Sequence, residues 1–344
     1  MDPLKKSLKS RLVGNGIEQK LKIGPIRWPF HYSRVLKHLV PLPVTTLSIL
    51  LNRDPEKLKN YRARRSMDAQ AKIDCVRRQY YRQLGKELHL DPPVSLTEKI
   101  NYLKLFYEHP SLSRCCDKYQ LKAYLREKLG EGFSVETCFA ANRFTEQDFE
   151  RLPNRFVLKV NWSSGYNIVV NDKSALSRRE RRMIAAQLRE WTRPYSNSYY
   201  YSFYRGYEEL RPVIFAEELL ERQFTAQEYK VFCFSGKPEF VLIELAPNGP
   251  AHQRVCVDLT GKKLPFSFGS EPVSGRYTLP ENFAELIRTA GVLAADFPFV
   301  RIDYMTDGTR LVVGEMTFYS GGGFSLLQPP EWDEKLGSLL RLSK

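Results

Sequence analysis

Apolar and polar positions alternate with a period of two through residues 299–317, FVRIDYMTDGTRLVVGEMT. Asp307-Gly308 is a turn signal in the middle of this run, so its two flanks predict a β-hairpin. With a three-residue loop, Asp307-Gly308-Thr309, Arg301 falls opposite Glu315 and Asp303 opposite Val313. Side chains two apart on a strand share a face, which puts Arg301, Asp303, Glu315 and Thr317 together. Val300, Ile302, Tyr304, Val312 and Met316 take the other face. Asp303 and Glu315 would then be diagonal neighbours, about 7 Å apart along the strand, close enough to share a hard cation. A solvated polar face on a surface hairpin explains the same alternation, and both readings stand on this run alone.

The pattern upstream predicts alternating helices and strands. Ser95-Leu-Thr-Glu98 is a capping box that opens a helix over KINYLKLFY. A second helix is expected from Arg114 to about Leu129, ended by Gly130 and carrying Asp117-Lys118. A third begins near Thr145. Arg155 to Asn161 and Ile168 to Asn171 read as strands joined by the loop Trp162-Ser-Ser-Gly-Tyr-Asn167, whose backbone N–H groups could cover phosphates. No G-K-[ST] precedes a helix here, so the loop is not a P-loop. Lys159 stands inside an otherwise apolar strand, where an ammonium is costly unless it meets an anion or turns to water. An arginine-rich helix follows over Ser177 to Trp191, then the aromatic run YSNSYYYSFYRGY, which suits either packing beneath a loop or stacking on a ligand. Further strands are expected at Val213–Ala216, Glu228–Phe234, Glu239–Glu244 and Val255–Asp258, with helices over Glu281–Ala295 and Glu331–Leu340. No internal repeat is present.

Charge changes the picture at the N-terminus. Residues 1–90 carry 20 Lys/Arg against 7 Asp/Glu, a surplus of +13 out of the chain's +14, so the remaining residues are nearly balanced. A nucleic-acid binder would spread its basicity over the body, and no specific nucleic acid is expected as a partner. Leu4, Leu8 and Leu12 among lysines suggest a short basic amphipathic helix. An apolar stretch from Trp28 to Leu51 is broken by Pro41 and Pro43, and a charged helix is expected over Arg62 to Leu84. This arm either meets an anionic membrane surface or acidic partner, or packs on the body as a helical extension. No run of about 18 apolar residues predicts a membrane span, and no apolar core of a secretory signal is visible. Six cysteines without a C-x-x-C pair read as reduced thiols of a cytoplasmic protein, peripheral to the inner face of the membrane if the arm binds lipid. Five histidines lack zinc-ligand spacing. At 344 residues the chain is long enough for two or three subdomains.

The ordered blocks SLTEKINYLKLF, DKYQLKAYL, LPNRFVLKVNWSSGYNIVV, EYKVFCFSGKPEF, FVRIDYM and GEMTFYSGGG resemble the TupA-like ATP-grasp family, associated with bacterial teichuronopeptide and capsular or extracellular polysaccharide synthesis. The resemblance covers about residues 94–340 and leaves the basic arm unaccounted for. It implies an α+β ATP-grasp fold, two α+β subdomains clasping ATP, with a basic helical extension at 1–90. The body would divide into a helical part with the glycine-loop hairpin, about 91–212, and a nucleotide- and metal-binding part, about 213–344.

Residue by residue, the resemblance implies that Lys118 and Lys159 neutralise ATP phosphates while Ser163, Ser164 and Gly165 close over them. Glu217 and Glu218 would flank the adenine hinge, Glu228 would accept from the ribose hydroxyls, and Lys230 would make a third phosphate contact. Asp303 and Glu315 would hold Mg²⁺, and Arg301 would stabilise the transferring phosphoryl group. Thr317 stands where the superfamily often has asparagine, a better metal ligand. The activity implied is a carboxylate–amine ligase that forms an amide through an acyl phosphate, with a carboxylate-bearing sugar or glycan and an amine or amino acid as partners. A glycan kinase or glycosyltransferase of the same pathway is the enzymatic alternative. A basic adaptor for membranes or acidic polymers is the non-enzymatic one.

Overall fold

Two antiparallel five-stranded sheets organise the chain. The computed structural model describes residues 55–342, except 163, 222–223, 225–226, 246, 248–252 and 270–276, together with the backbone of Ile26–Arg27. The expected amphipathic helix at Leu4, Leu8 and Leu12, the apolar stretch from Trp28 to Leu51, and Ser163 lie outside the described residues.

After β1 (Ile26–Arg27) come α1 (Pro55–Arg64) and α2 (Ala69–Leu84), then α3 (Leu96–Phe106), α4 (Leu112–Cys116) and α5 (Leu121–Leu129). Three strands follow: β2 (Thr137–Ala141), β3 (Phe156–Val160) and β4 (Asn167–Val170). Helices α6 (Arg178–Trp191) and α7 (Tyr199–Ser202) precede β5 (Ile214–Glu218), β6 (Gln227–Phe234), β7 (Lys237–Leu245), β8 (Gln253–Val257) and β9 (Ser267–Phe268). The chain closes with α8 (Phe283–Ala294), β10 (Phe299–Thr306), β11 (Leu311–Thr317), β12 (Leu327–Gln328) and α9 (Trp332–Leu339). The first sheet has the order β1-β4-β3-β5-β2 and the second β11-β10-β6-β7-β8.

Capping explains where the expected helices break. The single helix expected over residues 62–84 is two helices, because the Asp68 carboxylate accepts the Ala71 N–H at 2.8 Å and starts α2 afresh. The helix expected from Arg114 to Leu129 is also divided. The buried Asp117 carboxylate takes the N–H groups of Tyr119 (2.8 Å) and Gln120 (3.0 Å), which turns the chain between α4 and α5. The element expected at Thr145 is a 3₁₀ turn, Glu146–Arg151. The capping box of α3 is formed, with Ser95 N–H donating to Glu98 at 2.9 Å.

The first sheet buries Phe156, Leu158, Val160, Ile214 and Ala216 against α6, whose apolar stripe is Ile184, Ala185 and Leu188. The alternate residues Lys159 and Glu217 are therefore on the face away from α6. The second sheet buries Val231, Val300, Ile302 and Tyr304 in the main core with Leu286, Ala290 and Leu293 of α8. The described part of the N-terminal extension packs on the body: Val76 and Tyr80, four apart on α2, are fully buried with Tyr199 and Phe203. At those positions the aromatic run serves packing.

The hairpin differs from its expected register. Its turn has four residues, with the Asp307 carboxylate accepting Thr309 N–H (3.0 Å) and Arg310 N–H (2.8 Å). Gly314 is an unpaired bulge, so Tyr304 lies opposite Val313, but Asp303 lies opposite Glu315 and Arg301 opposite Thr317. The expected pairs Arg301–Glu315 and Asp303–Val313 are thus replaced, and the two carboxylates are direct rather than diagonal neighbours. Val312, assigned to the apolar face, pairs with Met305 and sits on the Asp303 face instead.

Candidate active site

The polar hairpin face is built around Arg301. Its guanidinium forks onto Asp303, with Nε to Oδ1 at 2.6 Å and Nη2 to Oδ2 at 2.7 Å. Nη2 also reaches Glu315 Oε1 at 3.3 Å and Thr317 Oγ1 at 3.2 Å, and Nη1 reaches Ser320 Oγ at 3.2 Å. All four hairpin residues expected on one face meet there. On the neighbouring strand Lys230 lies opposite Asp303, and its Nζ is 3.8 Å from Asp303, 3.1 Å from Glu244 and 3.4 Å from Glu228. Lys118, from the turn before α5, reaches Glu315 Oε2 at 3.3 Å.

The two carboxylates differ in their hold on a proton. Burial pushes Asp303 up to about 6 despite Arg301 beside it. Burial opposes ionisation of Glu315 as well, but Lys118 and Arg301 hold it at about 2. Burial also opposes the charge on Arg301, and Asp303 more than offsets it, so the guanidinium stays protonated.

A second charged group lies on the first sheet. The buried Glu217 carboxylate is shared by two lysines, Lys122 at 2.5 Å on Oε1 and Lys159 on Oε2. Burial raises Glu217, yet Lys159 and Lys122 outweigh it and leave the pKa lowered. Lys122 also donates to the Val135 carbonyl at 2.6 Å. Lys118, Lys122, Lys159 and Glu217 line one cavity with Met305 and Val312 of the hairpin, so this cavity lies between the two sheets. Buried Asn161 ties its wall together. It donates to Asp117 (2.7 Å) and the Arg211 carbonyl (2.9 Å), and accepts the Val213 N–H (2.8 Å).

Of the residues expected from sequence, Lys118, Lys159, Glu217, Lys230, Arg301, Asp303, Glu315 and Thr317 belong to these two groups, and Glu228 adjoins Lys230. Glu218 ends β5 exposed to solvent, and Ser164 and Gly165 are exposed on their loop. Three partners escaped the sequence reading. Lys122 stands four residues after Lys118, a helical spacing that could have revealed it. Glu244 could have been found by pairing Glu228 across the β6–β7 hairpin. Ser320 depends on the fold of the triglycine turn and left no such signal.

Among the described residues no group of three or more His, Cys, Asp or Glu side chains forms a metal site. Two facing carboxylates and a hydroxyl nevertheless fit Mg²⁺, which takes one or two protein carboxylates and completes its octahedron with phosphate oxygens and water. The lysines around Glu217 outnumber their carboxylate and fit an anionic ligand.

Comparison with known proteins gives a family match to TupA-like ATPgrasp over residues 98–341. No curated protein matches the chain. Among solved structures, D-alanine–D-alanine ligase from Bacillus anthracis complexed with ATP is similar at 16% identity and a TM-score of 0.36, covering 60% of this chain and 57% of its own. The ATP-grasp ligase PsnB with minimal precursor, Mg and ADP gives 13% identity, a TM-score of 0.35, and 61% and 52% coverage. L-amino acid ligase from Bacillus licheniformis gives 14%, 0.43, and 80% and 63%. The chain thus spans between half and two thirds of the length of each of these ligases. The family match covers most of the chain, and the fold is ATP-grasp: the chain belongs to the TupA-like ATP-grasp family.

Proposed function

We propose that the protein is an ATP-dependent carboxylate–amine ligase acting on a carboxylate-bearing sugar, such as a uronic acid of a bacterial capsular or cell-surface polysaccharide or its precursor. The observation that carries the reading is the cavity between the sheets, where Lys118, Lys122 and Lys159 line a wall that Lys118 links to the Arg301–Asp303–Glu315 face. The family resemblance supports the sugar acceptor. The nucleotide phosphates would meet Lys118, Lys159 and Lys230, with Ser163, Ser164 and Gly165 covering them. Glu217 and Glu218 would flank the base, and Glu228 would accept from the ribose. Asp303 and Glu315, with Thr317, would hold Mg²⁺, which when bound neutralises charge on the β- and γ-phosphates.

In this scheme an acceptor carboxylate oxygen attacks the γ-phosphorus, the bond to the bridging oxygen breaks, and ADP leaves with that bond's electrons. An amine then attacks the acyl phosphate carbon, and phosphate departs as the nitrogen loses a proton. Arg301 would accompany the phosphoryl group through the first step. Its forked contact with Asp303 fixes the guanidinium plane in advance, so little reorganisation accompanies the reaction. The chain's contribution is positioning and charge neutralisation rather than a covalent nucleophile.

Purified protein with Mg-ATP should release ADP only when a uronic acid acceptor is supplied, and should yield an amide when an amine is supplied as well. A stable phosphorylated sugar formed without amine would instead establish a kinase. Absence of ATP binding by calorimetry, with and without Mg²⁺, would overturn the ligase reading.

A further inference from the structure

Lys104 lies in the last turn of α3 and is 0% exposed, a costly place for an ammonium. Its Nζ donates to the Gly322 carbonyl at 2.8 Å and sits 4.3 Å from the centre of the Phe324 ring. Asn101, three residues earlier on the same helical face, donates to the Gly323 carbonyl at 2.8 Å and to the Thr97 carbonyl at 2.9 Å. Two buried side chains of one helix therefore hold consecutive carbonyls of a single turn. The turn is Ser320–Gly323, and Gly321, Gly322 and Gly323 adopt φ of 56°, 70° and 78°, a left-handed run that only glycine enters readily. It is seated closely: a Cβ on Gly323 would come within 2.5 Å of Asn101 Nδ2, and one on Gly322 within 3.0 Å of Tyr204 Oη. At its start, Ser320 Oγ accepts from Arg301 Nη1 at 3.2 Å.

We propose that Lys104 and Asn101 are positioning residues: they lock the triglycine turn, and the turn's Ser320 sets the guanidinium of Arg301. The ordering of the turn stands on the contacts alone. Its effect on turnover rests on the ligase reading above. A leucine at position 104 would satisfy the helix and the core without any of these contacts, so their assembly around a buried lysine needs the turn as its reason.

The test uses Lys104→Met, which keeps the buried stem and removes the donor. Hydrogen exchange across residues 319–325 should accelerate at least about tenfold while β10 and β11 keep their protection. The turnover number should fall about tenfold with KM for ATP within about threefold, since one hydrogen bond from a buried lysine is lost. Ser320→Ala should give a similar fall in turnover, and the double variant should be no slower than the worse single one. Should Lys104→Met fail to fold, Asn101→Ser releases only the Gly323 carbonyl and takes the same two readouts. Unchanged exchange, or losses that multiply in the double variant, would overturn the proposal. If the wild type shows no acceptor-dependent turnover, the ligase reading falls, and exchange alone decides whether Lys104 orders the turn.

Discussion

The two charged groups that border the cleft between the sheets are built on opposite principles. On the hairpin, Arg301 contacts both Asp303 and Glu315, and Lys118 and Lys230 add further cations. Charge there is matched in detail, and the two carboxylates have been driven apart in proton affinity, Asp303 to about 6 and Glu315 to about 2. On the first sheet, one carboxylate serves two lysines: burial lowers the pKa of Lys122 despite Glu217, and the two lysines leave that of Glu217 lowered. A matched group has fixed geometry and suits the stabilisation of one transient charge distribution. A group with surplus cations suits holding an anion in its ground state. The difference predicts that hairpin variants change turnover, whereas lysine variants change affinity.

The sharpest break is Asp303→Asn or Glu315→Gln. Either should lower acceptor-dependent ADP release by about 10³-fold or more, because each removes a carboxylate proposed to hold Mg²⁺; undiminished turnover in a coupled ADP assay would contradict the hairpin's role. Next, Glu217→Gln leaves Lys122 and Lys159 without their shared counter-charge and should cost about 3 kcal/mol of stability in urea unfolding at pH 7. Because the folded pKa of Glu217 is lowered, its stabilisation is present above the ordinary value of 4.5 and is lost as pH falls through the lowered one. The gap between wild type and variant should therefore close in acid, and a gap independent of pH would refute the ion-pair account. Lys159→Met should raise KM for ATP about tenfold and leave the turnover number within about threefold. The reverse split would erase the contrast between the two groups. The smallest effect is expected of Thr317→Val, which should weaken Mg²⁺ activation by about threefold, since a hydroxyl is a modest ligand beside two carboxylates; a loss as large as that of Asp303→Asn would promote Thr317 to an equal ligand.

Much of the hairpin was legible in the sequence because strand period is a local property. Alternation alone placed Arg301, Asp303, Glu315 and Thr317 on one face, and they meet there. Register was not legible, because it depends on a turn one residue longer than expected and on a bulge whose sole trace is Gly314. Lys159 announced itself as a lysine in an apolar strand, yet its partner Glu217 lies 58 residues away and became apparent only when β3 and β5 paired. The capping box of α3 was readable because Ser95 and Glu98 are three residues apart. The breaks at Asp68 and Asp117 were missed because an aspartate inside a charged run looks like one more solvated residue until its carboxylate is seen on a backbone N–H.

Gly314 also bears on how distant relatives of this chain should be aligned. Leu311 and Val313 belong to the main core, whereas Glu315 and Thr317 bond Arg301, although all four positions are odd-numbered. A single-residue gap placed in the 307–310 turn instead would shift residues 311–313 by one position and match Val312, on the Asp303 face, to a residue of the core face. The single-residue gap belongs at the bulge. Relatives lacking a residue there should show a compensating change in turn length or a different residue facing Asp303.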